Sequence, residues 1–138
     1  MAESTLKGKR ILVIEDDVKN LAVFATTLHR AGASVIQDHW NAGATGFATQ
    51  NLPIDLIVLD LMLRKGISGY DIVDQLKANP RTAHIPVVIV SSLDAESEIP
   101  KAKAKGCAGF ISKPISVLDF PDQLVEVLDG KQIWIFSR

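Results

Sequence analysis

The sequence has little cysteine: one residue, Cys107, in 138. A single thiol excludes an internal disulfide framework and a cysteine-based zinc site. The chain also lacks an excess of either charge. Fifteen Lys and Arg stand against 16 Asp and Glu, for a net charge of −1. That balance leaves no electrostatic footprint for nucleic acid, whose binders carry basic patches. No apolar run approaches the roughly 20 residues of a membrane-spanning helix. The opening MAESTLKGKR has no apolar stretch behind its charges, so it does not read as a signal peptide. The histidines His29, His39 and His84 lack metal-ligand spacing and read as surface or helix-end residues. No internal repeat, low-complexity tract or linker is visible. What remains is ordinary globular composition, 47% hydrophobic and 22% charged. The length suits one domain spanning 1–138, with a core that needs no staples. The expectation is a soluble cytoplasmic protein that touches neither nucleic acid nor membrane.

Apolar runs alternate with helical patterns along the chain. Arg10-Ile11-Leu12-Val13-Ile14 is uninterrupted and β-branched, as in a strand buried on both faces. Residues 18–31 follow with Leu21, Phe24, Ala25 and Leu28 at helical spacing, and Gly32 stands where a helix C′ residue belongs. A short strand around Ser34-Val35-Ile36 precedes a weak helix over 41–50, ended by Pro53. Further strands are expected at 55–59, 86–90 and 109–113, and further helices at 70–78, 94–105 and from a Ser116 cap to Leu128. Pro100 marks the first turn of its helix or a kink. Five β-α repeats predict a parallel sheet covered on both faces, with right-handed crossovers. The core spans about 9–128. The tail over 131–136 is apolar and β-prone, and either pairs on a sheet edge or docks on the last helix. Cys107 reads as a small buried filler.

In such sheets the site lies beyond the carboxyl ends of the strands. There the first strand delivers Glu15, Asp16 and Asp17, the third Asp60, the fourth Ser91 and the fifth Lys113. Crowded carboxylates repel one another unless a cation intervenes. Oxygen ligands suit a hard divalent ion, and Mg²⁺ takes one or two carboxylates plus waters and a phosphate. A carboxylate is also a competent nucleophile toward phosphorus. A lysine and a hydroxyl complete the contacts to phosphoryl oxygens. Asp17 fits better as a helix N-terminal acid than as a ligand.

These residues resemble the receiver domain of two-component response regulators, of the stand-alone type without an output domain. The resemblance runs from about Lys9 to Leu128. It rests on Ile11 through Asp17, Asp55 through Asp60, Ile85-Pro86-Val87 through Ser91, and Gly106 through Phe110-Ile111-Ser112-Lys113-Pro114. It implies a flavodoxin-like (CheY-like), doubly wound, five-stranded sheet in the order 2-1-3-4-5. It implies that Asp60 is the phosphoacceptor and that Ser91 and Lys113 contact the phosphoryl group. The metal would be Mg²⁺, with Mn²⁺ as a substitute. Its ligands would be Asp16, Asp60 and the backbone carbonyl of Met62, with Glu15 acting through water. Ser91 and Phe110 would form the switch, Phe110 turning inward as Ser91 moves, and Pro114 would follow a cis peptide bond. No organic cofactor is implied. The partners would be a sensor histidine kinase or a histidine phosphotransfer protein and a downstream protein target. The chain itself would be a monomer or weak homodimer, not an enzyme in the ordinary sense.

One stretch departs from the pattern. The loop after Asp60 has Arg64 and Ser68 where a proline and a glycine are usual, and the glycine is Gly69, one residue late. A degenerate receiver acting as a phosphorylation-independent binding module is therefore the alternative. Two rivals fit worse. An FMN carrier would not place three acids at its phosphate loop. An aspartyl phosphatase would carry a general acid two residues beyond the nucleophile, where Met62 stands. Met62 and Leu93 occupy the positions that tune hydrolysis in the family, and neither orients an attacking water. Slow self-dephosphorylation is expected.

Overall fold

The computed structural model describes residues 6–38, 44–63 and 66–135. His39, the expected start of the second helix at 41–43, Arg64 and Lys65 of the lengthened loop, and Phe136 of the tail lie outside the described residues.

The elements are β1 (Arg10–Ile14), α1 (Val18–Arg30), β2 (Ser34–Asp38), α2 (Ala44–Gln50), β3 (Leu56–Leu59), α3 (Gly69–Ala78), β4 (Val87–Ser91), α4 (Ala95–Ala104), β5 (Gly109–Ser112), α5 (Phe120–Leu128) and β6 (Ile133–Ile135). Every strand pair is parallel, in the order β2-β1-β3-β4-β5-β6. Successive side chains on a strand go to opposite faces, which explains the unbroken apolar runs. Leu12, Ile14, Ile57, Leu59, Ile89 and Phe110 pack with α2, α3 and α4. Ile11, Val13, Leu56, Val58, Val88 and Ile111 pack with α1 and α5. Each fully buried aliphatic side chain contributes roughly 1.5–3 kcal/mol. Cys107 is part of the first layer, and burial pushes its thiol up to about 11, so it serves as filler there.

Local signals hold the helix ends. Asp17 caps α1, its Oδ1 accepting from the Lys19 N–H at 2.9 Å. Gly32 follows the last turn with φ of 98°, the left-handed C′ position. Ser68 caps α3, which ends at Asn79, held extended ahead of Pro80. Pro100 lies inside α4, not in its first turn. The Ser116 expectation needs correction. Its Oγ accepts from the Asp119 N–H at 3.3 Å and its carbonyl from the Phe120 N–H at 2.8 Å, closing a turn before the helix. Pro121 has no N–H and is tolerated only in a first turn, so α5 starts at Phe120.

The expected five-stranded sheet is also corrected, because the tail adds a sixth strand. Phe110 is in register with Trp134, and the Ile133 N–H donates to the Ala108 carbonyl at 3.1 Å. Gly109 permits this approach: a Cβ there would sit 2.6 Å from Ile133 Cγ1 and 2.7 Å from the Ile133 carbonyl oxygen. Trp134 packs against the Phe110 layer, and Lys103 Nζ lies 5.0 Å from the centre of its ring. Gly109→Ala should push β6 off the edge. Hydrogen exchange at Ile133 and Ile135 is expected to accelerate at least tenfold, and unchanged protection there would contradict the close approach.

Candidate acceptor site

The sheet order sets the ends of β1, β3, β4 and β5 in one row. Glu15 and Asp16 follow β1, Asp60 follows β3, Ser91 ends β4, and Lys113 follows β5. The Asp60 N–H donates to the Ile14 carbonyl at 3.1 Å, which ties the end of β3 to β1. A cleft of about 300 Å³ opens over this row, lined by Glu15, Asp16, Asp17, Asn20, Asp60, Met62 and Lys113. Its acids are deeply placed, with Glu15 1% and both Asp16 and Asp60 6% exposed.

Lys113 is the counter-charge. Its Nζ donates to Glu15 Oε1 at 2.9 Å and to Asp60 Oδ2 at 3.1 Å. The other Asp60 oxygen, Oδ1, accepts from the Met62 N–H at 3.2 Å. Glu15 Oε2 accepts from the Asp17 N–H at 3.2 Å. Burial, with the charge of Asp60 behind it, pushes the Glu15 carboxyl up to about 7 against the pull of Lys113. Burial works against the Lys113 ammonium too, but Glu15 and Asp60 outweigh it and hold the amine above its ordinary value.

The expected residues do not all stand together. Glu15, Asp16, Asp60, Met62 and Lys113 line the cleft. Ser91 is fully buried, and its Oγ accepts from the Leu93 N–H at 3.1 Å. Phe110 is fully buried in the core beside Trp134, so its ring is already inside. The sixth strand adds apolar cover beside β5 at this position. The Lys113–Pro114 bond is cis as expected, and Leu52–Pro53 is a second cis bond that the sequence reading did not include. Asn20, the third residue of α1, also lines the cleft and was not among the expected residues; no sequence signal singled it out.

The described ends of the lengthened loop lie close together after Asp60. Met62 and Ser68 form an antiparallel bridge, the Leu63 N–H donates to the Ile67 carbonyl at 3.3 Å, and Gly66 turns the chain with φ of 69°. The Gly69 N–H donates to the Leu61 carbonyl at 2.8 Å. The described ends of the loop, 62–63 and 66–69, are thus held to each other and to the segment after Asp60.

The donor set suits a hard cation. Asp16, Asp60 and the Met62 carbonyl could offer a cation only oxygen atoms, and Mg²⁺ needs only one or two carboxylates with waters. Among the described residues, no three His, Cys, Asp or Glu side chains form a ready cage. Glu15 and Asp60 are instead turned to Lys113.

A doubly wound parallel sheet with a lysine-bridged acidic cleft at its strand ends places the protein in the CheY-like class of α/β folds. Residues 11–128 match the response regulator receiver domain family, and the chain belongs to that family. It is 29% identical over 120 residues to the polar-differentiation response regulator DivK of Brucella ovis, covering 87% of this chain and 96% of that one. The same protein of Brucella abortus matches equally. Among solved structures, a sensor protein from a Polaromonas species superposes with a TM-score of 0.81 at 23% identity, over 89% of this chain and 98% of the other. A CheY-like receiver domain protein from Methanospirillum hungatei gives 0.77 at 21% identity, over 88% and 94%. Among the described residues, no helix is long and apolar enough to cross a membrane.

Proposed function

We propose that the protein is a phosphorylation-dependent switch that takes a phosphoryl group onto Asp60. The observation that carries this reading is the setting of that carboxylate. It is buried at the cleft floor, with an ammonium on one oxygen and a backbone amide on the other. The donor is a phosphohistidine on a sensor kinase or phosphotransfer protein. An Asp60 oxygen attacks phosphorus, the P–N bond breaks, and its electron pair leaves with the imidazole nitrogen, which takes up a proton. Lys113 follows the new charge from the Asp60 carboxylate to the phosphoryl oxygens, and the Ser91 hydroxyl leaves the Leu93 N–H to do the same. Asp16, Asp60 and the Met62 carbonyl would hold Mg²⁺ or Mn²⁺, with Glu15 through water, and the ion would neutralise and align the transferring group. Because Phe110 is already buried, the rearrangement passes through the segment after Ser91 and α4 to a downstream protein target. Such a signal acts in the cytoplasm, by protein contact, from a monomer or weak homodimer.

Intact-protein mass spectrometry tests this. Acetyl phosphate with Mg²⁺ should add one phosphoryl group, and both EDTA and Asp60→Asn should abolish the gain. Undiminished labelling of Asp60→Asn would sink the assignment, and no labelling of the parent protein would favour a phosphorylation-independent binding module.

The lifetime of the phosphoryl group is a separate expectation. Met62 is 61% and Leu93 37% exposed, and neither side chain orients a water. Met62→Asn combined with Leu93→Glu should speed phosphate loss by about tenfold or more, the scale of a gained general-base or orienting contact. An unchanged decay rate would count against these two residues as the cause of slow phosphate loss.

A further inference from the structure

We propose that Asn20 is a positioning residue for phosphoryl transfer, its carboxamide donating a hydrogen bond to the phosphoryl group of the incoming donor; this rests on the acceptor role of Asp60 proposed above. Two clefts meet at this residue. One is the acidic cleft over Asp60. The other, of about 340 Å³, lies beside it and is walled largely by Val23, Phe24, Pro114 and Ile115. The residues lining both are Asn20 and Lys113. A donor with an anionic phosphoryl end and a less polar body matches this pair of spaces, and its scissile bond then falls near their junction.

The chemistry of the junction favours a neutral donor. Glu15, Asp16, Asp17 and Asp60 all line the acidic cleft, and an incoming phosphoryl dianion is repelled by each ionised carboxylate. Against them the lining offers two side-chain donors, Lys113 and Asn20. Lys113 already serves Glu15 and Asp60. Asn20 is half-buried, and among the described residues its carboxamide has no hydrogen-bond partner. Its backbone N–H is the part that serves the helix, donating to Asp17 Oδ1 at 3.3 Å. The side chain can therefore change without loss of the cap. A merely solvated first-turn asparagine would behave differently. Its replacement by alanine would help the helix and leave the transfer rate alone.

The experiment measures the labelling rate of the full chain with phosphoramidate and with acetyl phosphate, each with Mg²⁺, alongside thermal unfolding. Asn20→Ala should label about tenfold more slowly with both donors, the loss expected for one hydrogen bond to a charged group, with an unfolding midpoint equal to or above that of the parent. Asn20→Asp adds a further acid. It should be slower still at low salt and recover part of its rate at high salt, a response that a structural role would not produce. Parental rates in Asn20→Ala would overturn the role of Asn20 while leaving Asp60 as the acceptor. Failure of the parent protein to label with either donor would overturn the Asp60 reading and this inference together.

Discussion

Gly69→Ala is expected to abolish acetyl-phosphate labelling of Asp60 and to lower the unfolding midpoint by roughly 10 °C, which corresponds to about 3 kcal/mol in a chain of this size. The reason is contact, not backbone conformation, since Gly69 does not have a positive φ. A Cβ at this position would lie 2.5 Å from the Asp60 carbonyl oxygen and 2.8 Å from Leu61 Cα. Both are backbone atoms, so no side-chain rotation relieves the clash. Either α3 retreats and the Gly69 N–H loses the Leu61 carbonyl, or the acceptor segment shifts away from Lys113 and the Met62 amide. The first route costs stability and the second costs phosphoryl transfer. Thermal unfolding and mass spectrometry on the same sample read both. Parental values in each would show that the loop yields without moving Asp60.

Lys113→Met is expected to remove labelling and to destabilise the protein in a pH-dependent way. Removing one partner of a buried charge pair typically costs about 3–5 kcal/mol. Here part of that cost is avoidable, because Glu15 can take up a proton. In the parent protein the Glu15 carboxyl rises from 4.5 to about 7 on folding, so between these values the folded state binds more protons than the unfolded. The Glu15 contribution to stability therefore falls as pH rises from about 4.5 through about 7, then levels off. Without Lys113, the interactions that hold Glu15 down are gone, and the falling limb extends to higher pH. The difference between parent and variant should be smallest near pH about 5 and largest near pH about 9. Denaturant titrations of the metal-free proteins across that range check the sign. A constant difference would mean that Glu15 does not take up the charge that Lys113 leaves behind.

Several elements were legible because a short-range cause decides them. The apolar runs 11–14 in β1, 56–59 in β3 and 87–90 in β4 have no polar residue to turn outward, so they demand cover on both faces, and the helices between them supply it. Asp17 and Gly32 mark the two ends of α1 through a side-chain cap and a left-handed turn, both local chemistry. Acids at the ends of β1 and β3 and a lysine at the end of β5 could be placed at one site because parallel strands point the same way.

Other features depended on contacts that sequence spacing does not encode. The tail suits a sheet edge and a helix face equally. Pairing was decided by the bare Cα of Gly109, which lets Ile133 approach its backbone. With that strand in place, Phe110 is inside the core, beside Trp134. The loop after Asp60 differs by one residue in sequence, and its described ends are held by the Met62–Ser68 bridge and the Gly69–Leu61 hydrogen bond. Asn20 carries no signal by itself and matters only because two clefts meet at the third residue of α1. Periodicity and caps, which act over a few residues, determined the order of elements from sequence alone, and that order put Glu15, Asp16, Asp60 and Lys113 at one end of the sheet. The sixth strand, the Lys113 bridge from Glu15 to Asp60 and the walls around them were decided by the tertiary structure, because each joins residues that only packing brings within a few ångströms.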